Sequence, residues 1–166
     1  YGVADSVGFA IQLENRYKGL RTPHKIKFGV SGCTRECAEA QGKDIGLIAV
    51  EGGWQIRIGG AAGARVREGD ILATVSTKAE AMRLSTVFLQ HYRENAEYLE
   101  RTYLYIERVG LDHVKEAVLD DTSGAPERLL ERFRLARAAV VDPWLERNDP
   151  VHHNQFSELD REEVPA

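Results

Sequence analysis

The stretch HKIKFGVSGCTRECAEA, residues 24–40, joins an alternating segment to both cysteines of the 166-residue chain. Apolar side chains at positions 26, 28 and 30 alternate with Lys25, Lys27 and Gly29, which predicts a β-strand over residues 24–31. Because successive side chains on a strand point to opposite faces, Lys25 and Lys27 are predicted to point to the same side. The cysteine segment then lies between this strand and a predicted helix.

Cys33 and Cys37 are the two cysteines of this segment. Thiols at this i, i+4 spacing can share a soft metal, but a zinc ion or an iron–sulfur cluster takes about four ligands. The spacing alone is therefore equally compatible with half of a metal site, a redox-active thiol pair and two ordinary buried thiols. Two cysteines are also too few for a disulfide framework, and this count is typical of a reducing compartment.

The first part of the chain contains further predicted elements on both sides of this segment. An apolar face predicts a helix over residues 5–17. After the cysteines, residues 44–50 and 54–58 are β-prone runs joined by a Glu-Gly-Gly turn, which predicts a hairpin. Residues 70–75 predict another extended segment. Residues 1–76 are thus predicted to form a small mixed or antiparallel sheet with flanking helices.

Residues 77–141 are predicted to be helical. Thr77 and Glu80 match a capping box, in which each residue satisfies the backbone amide of the other. Apolar residues at three- to four-residue spacing continue to position 140, with breaks near positions 110 and 126. Residues 142–166 alternate prolines with charges and are predicted to form an extended tail. The predicted fold class is therefore α+β, with a sheet domain followed by a C-terminal helical segment.

The charge and the apolar content of the sequence indicate which classes of binding partner to expect. The net charge is −4 and acidic and basic residues are interspersed, whereas nucleic acids favour clustered Lys and Arg, so we expect no nucleic-acid partner. No apolar run approaches the roughly 20 residues that cross a bilayer, and no signal-peptide pattern is present, so we expect a cytoplasmic protein without a membrane partner. The chain starts with Tyr-Gly-Val rather than Met, and we expect it to be part of a longer polypeptide.

Several segments together resemble the sirohaem-dependent nitrite/sulfite reductase family. They are PHKIKFGVSGC (residues 23–33), CAEAQGKDIG (residues 37–46) and the glycine-rich residues 53–63. The front of the chain and residues 99–121 are similar in particular to bacterial assimilatory NAD(P)H nitrite reductase large subunits. The resemblance covers about residues 1–145 and is most specific in the cysteine segment.

The resemblance implies a 4Fe-4S cluster held by a Cys-x5-Cys pair and a later Cys-x3-Cys pair. By position, Cys33 would be the third cluster ligand, and Cys37 would be the fourth ligand and the axial bridge to the sirohaem iron. A thiolate shared by two irons couples them electronically, and the N-terminus of the predicted following helix would offset the anionic cluster. This sequence has no Cys-x5-Cys pair, so the resemblance implies that the other two ligands lie upstream.

The resemblance also implies roles for basic residues and glycines. In the family, a Lys-x-Lys pair at the position of Lys25 and Lys27 faces the sirohaem carboxylates and the anionic substrate; the alternative is a pair of solvated charges on an edge strand. In two-copy relatives these lysines belong to the copy without the cluster, so here they would act across a dimer or against a partly degenerate neighbouring copy. Arg35 is a further candidate anion contact. Gly60 and Gly63 could expose backbone amides to the carboxylate-rich macrocycle, or could simply form a tight turn.

The implied parent enzyme reduces nitrite to ammonia with electrons that pass from NAD(P)H through FAD and iron–sulfur centres to sirohaem. FAD and NAD(P)H would bind upstream domains, and the 166-residue chain alone is expected to be inactive. The expected partners are nitrite and the rest of the large subunit, with a homodimer and a small subunit as further candidates. The alternatives are a sulfite reductase fragment, a non-catalytic assembly module without bound cofactor, and a thiol redox protein.

Overall fold

The computed structural model describes residues 2–141, so the tail predicted at residues 142–166 lies outside the described residues. The described chain has the α+β fold that the sequence predicts. Its helices are α1 (Ser6–Tyr17), α2 (Lys78–Asn95), α3 (Thr102–Val109), α4 (Leu111–Leu119) and α5 (Ala125–Ala138). Its strands are β1 (Phe28–Ser31), β2 (Ile45–Val50), β3 (Gly53–Ile58), β4 (Ala61–Ala62), β5 (Val66–Arg67) and β6 (Asp70–Val75).

The main sheet has the strand order β1-β2-β3-β6, and β4 pairs with β5 in a small second sheet. β1 runs parallel to β2, whereas β3 is antiparallel to both β2 and β6. The predicted hairpin is confirmed, because β2 and β3 are joined by a tight turn in which Gly52 has a φ of +80°. Glycine adopts this left-handed conformation without the steric cost that a Cβ imposes. The sheet is therefore mixed.

A parallel pair of strands needs a crossover connection, and here the crossover is the cysteine segment. Residues 32–44 leave the end of β1 and return to the start of β2. Gly29 and Gly46 are paired in the register of the two strands. A Cβ on Gly29 would lie 2.8 Å from the Cα of Ala40, and a Cβ on Gly46 would lie 2.1 Å from the Ala40 carbonyl oxygen. The two glycines therefore let the crossover lie directly on the sheet.

The helices pack on the sheet and share one hydrophobic core with it. α2 begins with the predicted capping box: the Glu80 amide donates to Thr77 Oγ1 (3.1 Å), and the Thr77 amide donates to the Glu80 carboxylate (3.0 Å). Phe9 of α1 and both Phe88 and Tyr92 of α2 are fully buried. Burial of each such side chain contributes roughly 1.5–3 kcal/mol. No helix within residues 2–141 combines the length and the apolar character that crossing a membrane requires.

Two local predictions are wrong. The strand predicted over residues 24–31 is confined to Phe28–Ser31, because the Lys27 amide donates to the Asp44 carboxylate (2.9 Å) and not to a neighbouring strand. The helix predicted directly after the cysteines is replaced by turns and a three-residue 3-10 helix at Ala40–Gly42. Such a short element has no macrodipole comparable to that of an α-helix, so the predicted helix N-terminus cannot offset an anionic cluster.

Candidate functional site

The cysteine segment is a loop built from two successive tight turns. The Glu36 amide donates to the carbonyl oxygen of Cys33 (3.2 Å), and the Glu39 amide donates to the carbonyl oxygen of Glu36 (2.9 Å). Glu36 and Glu39 have left-handed φ values of 59° and 51°, a conformation that costs an L-residue roughly 1–2 kcal/mol. The Glu36 carboxylate accepts from the Gln41 amide (3.0 Å) and so holds the end of the loop. Cys37 is thus the second residue of a fixed turn.

Both thiols are free, and neither is deeply buried: Cys33 is half-buried and Cys37 is exposed. The interpretation of the pair as ordinary buried thiols is therefore wrong, and metal ligation and redox chemistry remain. The segment before α1 lies against the loop, since the amides of Val3 and Ala4 both donate to the Gly32 carbonyl oxygen (2.6 and 3.1 Å). The beginning of the described chain is thereby fixed beside Cys33.

The donor chemistry of the loop fits half of an iron–sulfur site. Within residues 2–141, no group of three or more His, Cys, Asp and Glu side chains could hold a metal ion, so a cluster at this loop needs further ligands. Ser31 Oγ, two residues before Cys33, is buried without a hydrogen-bond partner in the described chain. A buried donor normally has an acceptor, and hydrogen bonds to the sulfurs are one of the means by which proteins tune a cluster. Two accessible thiols on one loop suit a soft metal centre, and the unused Ser31 donor lies two residues before the first of them.

A groove of about 270 Å³ lies beside the loop. Glu39, two residues after Cys37, contributes to its lining, and the cationic side chains that line it are Lys27, Lys43, Arg65 and Arg101. Lys25 and Lys27 are both exposed, but only Lys27 lines this groove. Both lysines precede β1, so they do not share a strand face as the sequence predicted. The structure thus brings Lys27, but not Lys25, next to other cations.

Asp44 connects Lys27 to the start of α3. Its carboxylate is fully buried and accepts from the Lys27 amide (2.9 Å), the Thr102 hydroxyl (2.5 Å) and Arg101 Nη2 (3.1 Å). A buried charge requires such partners. Sequence reasoning missed Asp44 and Arg101, because these partners are 57 positions apart in the chain. Asp44 lies within residues 37–46, one of the segments that resemble the family. This position was the signal that could have identified Asp44.

The Gly60 and Gly63 amides of the glycine-rich turn were predicted to be exposed to a macrocycle, and this prediction is wrong. The Gly60 amide donates to the Lys43 carbonyl oxygen (2.9 Å), and the Gly63 amide donates to the Arg65 carbonyl oxygen (3.3 Å). Neither N–H is therefore free for a macrocycle. Gly60 instead allows close backbone approach, since a Cβ there would lie 2.3 Å from the Gln41 carbonyl oxygen. Gly63 lines the groove.

Arg35, the remaining predicted contact, lies between the two cysteines and is exposed. None of the ion pairs found within residues 2–141 includes it. Its guanidinium is therefore accessible from solvent on the same loop as Cys33 and Cys37. Its contact with an anion stays a prediction.

The fold and the cysteine loop define the class of this protein. The chain matches the nitrite and sulphite reductase 4Fe-4S domain over residues 1–126 and belongs to that family, as its sequence predicts. The nitrite reductase (NADH) large subunit of Escherichia coli is 45% identical over 159 residues, which are 94% of this chain and 19% of that protein. The NAD(P)H nitrite reductase of Bacillus subtilis is 44% identical over 144 residues, which are 87% of this chain and 18% of that protein.

A sulfite reductase is also related. The assimilatory-type sulfite reductase of Nitratidesulfovibrio vulgaris is 36% identical over 119 residues, which are 72% of this chain and 55% of that protein. The chain thus spans less than a fifth of the length of the two nitrite reductases above and about half the length of this sulfite reductase.

Proposed function

We propose that the chain supplies the second pair of cluster ligands in a nitrite reductase that contains a 4Fe-4S cluster and sirohaem. The observation that carries this proposal is the presence of two free, accessible thiols on one crossover loop of a 4Fe-4S domain. Cys33 would bind one iron of the cluster. Cys37, the more exposed thiol, would bind another and bridge to the sirohaem iron. The other two ligands would come from a Cys-x5-Cys pair elsewhere in a longer polypeptide.

When bound, the cluster and sirohaem supply electrons and a coordination site for a small oxyanion. The chain's own residues hold the thiols in position. The left-handed residues Glu36 and Glu39 fix the backbone on both sides of Cys37. The paired glycines Gly29 and Gly46 hold the returning loop against the sheet. Contacts of this kind would orient the two thiols for metal binding.

The basic residues near the loop are proposed to bind anions. Lys25 and Lys27 would contact the anionic substrate or the sirohaem carboxylates, and Arg35 would be a further anion contact. The Lys27 backbone is held by Asp44 (2.9 Å), which limits where its side chain can reach. Because this chain holds part of one copy of the domain, the two lysines would act across a homodimer or against a partly degenerate neighbouring copy.

Nitrite is the proposed substrate, because the nitrite reductases named above are 45% and 44% identical to this chain and the sulfite reductase is 36% identical. The electrons would come from NAD(P)H through FAD, both bound by other parts of the large subunit. A small subunit is a further proposed partner. Sulfite reduction is the second candidate, since the sulfite reductase is 36% identical over 72% of the chain.

Steady-state assays of the full-length enzyme with nitrite and with sulfite, together with its visible spectrum, test this proposal. We expect sirohaem bands and a higher kcat/KM for nitrite than for sulfite. A kcat/KM that is higher for sulfite would replace the first candidate with the second. A spectrum without sirohaem bands, combined with reversible oxidation of Cys33 and Cys37, would instead indicate a thiol redox protein.

A further inference from the structure

We propose that the Ser31 hydroxyl donates a hydrogen bond to a sulfur atom of the iron–sulfur cluster that Cys33 would hold, and that this bond raises the reduction potential of the cluster. The inference rests on the proposed function and deepens it, because it names a residue that adjusts the redox chemistry of the same site. Two independent observations support it: the free thiols of the cysteine loop and a buried serine hydroxyl without an acceptor among residues 2–141.

The side chain of Ser31 points to the face of the main sheet on which the cysteine loop lies. Side chains at alternate positions of a strand share a face, so Ser31 shares its face with Gly29 of the same strand, β1. A Cβ on Gly29 would lie 2.8 Å from the Cα of Ala40, in the returning part of the loop. A Cβ on Gly32, by contrast, would lie 3.2 Å from Ser6 Oγ at the start of α1. The Ser31 hydroxyl therefore points toward the loop and away from α1.

The immediate surroundings of Ser31 leave its proton without a partner. Its cross-strand neighbour in β2 is Ile48, whose buried side chain offers no acceptor. Ser31 itself is only 3% exposed, so bulk water does not reach the hydroxyl. Burial of a hydroxyl without a hydrogen bond costs free energy, and buried donors in native proteins normally have an acceptor. An acceptor that is bound at the loop would satisfy this hydroxyl.

Glu36 of the cysteine loop has the second buried atom without a partner in this region. Its Oε2 accepts from the Gln41 amide (3.0 Å), whereas its Oε1 is buried and is not bonded to any group of the described chain, Ser31 included. A carboxylate is an acceptor only and cannot donate to a sulfur. Of these two atoms, only the Ser31 hydroxyl can therefore serve a thiolate or a sulfide.

A cluster on this loop would supply the acceptor that Ser31 lacks. Cys33 follows Ser31 by two residues, where the chain leaves β1 for the loop, and two residues of chain span at most roughly 7 Å. The sulfurs of an iron–sulfur cluster carry negative charge, and hydrogen bonds to charged acceptors are the stronger ones. Reduction adds negative charge to the cluster, so a donor stabilises the reduced form more than the oxidised form. The bond from Ser31 should therefore raise the reduction potential.

A redox titration of the full-length enzyme, followed by electron paramagnetic resonance, measures this potential. The signal of the cluster is identified as the one that Cys33→Ser removes. We expect Ser31→Ala to shift the potential to a more negative value at unchanged iron and sulfide content, because a donor is lost but no ligand is. Ser31→Thr keeps a hydroxyl and should bring the potential back toward that of the unchanged enzyme.

Ser85→Ala is the matched control, because Ser85 is a fully buried serine of α2 whose hydroxyl donates to the Ala81 carbonyl oxygen (2.7 Å). It should leave the potential unchanged. A second measurement uses the iron-free 166-residue chain, in which urea denaturation gives the free energy of unfolding. Ser85→Ala breaks a hydrogen bond and should lower this free energy, whereas Ser31→Ala removes a hydroxyl without a partner and should not lower it.

Equal potentials of Ser31→Ala and the unchanged enzyme would overturn the proposal. A Ser31→Ala chain that is destabilised as much as Ser85→Ala in the absence of iron would also overturn it, since the hydroxyl would then have its acceptor without a cluster. Both results leave the cysteine ligands in place. They are thus distinguishable from failure of the proposed function, in which the unchanged enzyme has no cluster signal that Cys33→Ser removes and both proposals are overturned.

Discussion

The guanidinium of Arg101 lies 3.1 Å from the carboxylate of Asp44, which is fully buried, although the two residues are 57 positions apart in the chain. Asp44 directly precedes β2, and Arg101 directly precedes α3. The pair therefore joins the return of the cysteine loop to the beginning of a helix. Because Asp44 also accepts from the Lys27 amide, the same carboxylate fixes one side of the cationic groove.

Removal of Arg101 should destabilise the fold. Arg101→Met leaves the Asp44 carboxylate buried without its cationic partner, and such a change typically costs on the order of 3–5 kcal/mol. Urea denaturation followed by circular dichroism measures the free energy of unfolding. Arg134→Met is the control, since the Arg134–Glu131 pair is exposed on both sides, and its loss should cost less than about 1 kcal/mol. Equal losses in the two variants would contradict the role of the buried pair.

Gly46→Ala should displace the end of the cysteine loop. The added Cβ would lie 2.1 Å from the Ala40 carbonyl oxygen, so either the sheet or the loop must move, at a cost of about 1–3 kcal/mol. Urea denaturation gives the stability, and the rate of Cys37 with a thiol reagent reports on the loop. Gly63→Ala is the control, because a Cβ there meets no atom within 4 Å. Both quantities should stay unchanged in the control, and an unchanged Gly46→Ala would refute the close contact.

Because of His91, the free energy of unfolding should decrease as the pH is lowered. Burial of the ring, with a smaller contribution from nearby His113, lowers the pKa of His91 from 6.5 to about 4. Its Nε2 lies 2.8 Å from the hydroxyl of Tyr105, which the neutral ring can accept from. Because the folded pKa lies below the unfolded pKa, the unfolded chain takes up a proton first. The contribution of His91 is thus complete above pH 6.5 and is lost progressively between pH 6.5 and pH 4.

Melting temperatures of the unchanged chain and of His91→Gln, measured from pH 7.5 to pH 4, check this pH dependence. Glutamine keeps an acceptor near Tyr105 but does not titrate. We expect the melting temperature of His91→Gln to fall less steeply between pH 6.5 and pH 4 than that of the unchanged chain. Parallel curves over that range would show that His91 is not responsible.

Local patterns in the sequence predicted much of the fold. The capping box at Thr77 and Glu80 and the hairpin around Gly52 depend on residues close together in the chain, and both are confirmed. The strand boundary at Phe28 was not predictable in this way, because it depends on a hydrogen bond from Lys27 to Asp44. The absence of an α-helix between Cys37 and β2 likewise depends on close backbone contacts with the sheet.

The candidate site was likewise predictable from the sequence only in part. The cysteine pair and the family were predictable from one continuous segment, since the spacing and its flanking residues lie together. The groove was not, because its four cations come from four separate parts of the chain. The prediction that the Gly60 and Gly63 amides are free to bind a ligand was wrong. Both amides donate to backbone carbonyl oxygens, and these hydrogen bonds are visible only in the folded structure.

Lys27 should matter more than Lys25 for turnover by the full-length enzyme. A lysine that acts on a desolvated anion makes a charge-assisted contact, so Lys27→Ala should lower nitrite turnover by roughly 10- to 100-fold. Lys25 does not line the groove, and Lys25→Ala should have a smaller effect. Steady-state kinetics, with iron and sirohaem quantified in each variant, provide the comparison. Rates near that of the unchanged enzyme for Lys27→Ala at full cofactor content would return both lysines to the solvated surface.

The central claim is that Cys33 and Cys37 are cluster ligands and that Cys37 also binds the sirohaem iron. Serine substitutions in the full-length enzyme should separate these two roles. Cys33→Ser should lose the cluster. Cys37→Ser should lose both the cluster and the sirohaem ligation, because only Cys37 is proposed to bridge the two groups. Thr34→Ser, on the same loop between the two cysteines, is the control and should retain both groups.

Iron and acid-labile sulfide, quantified in anaerobically purified full-length enzyme, test this claim most directly. The Cys33→Ser variant should contain about four irons and four sulfides fewer than the unchanged enzyme, because it should lose the cluster alone. The Cys37→Ser variant should lose the same four sulfides. The visible spectrum of Cys37→Ser should in addition lack the ligated sirohaem bands. Iron and sulfide contents that are the same in the unchanged enzyme and in both serine variants would contradict the assignment of Cys33 and Cys37 as cluster ligands.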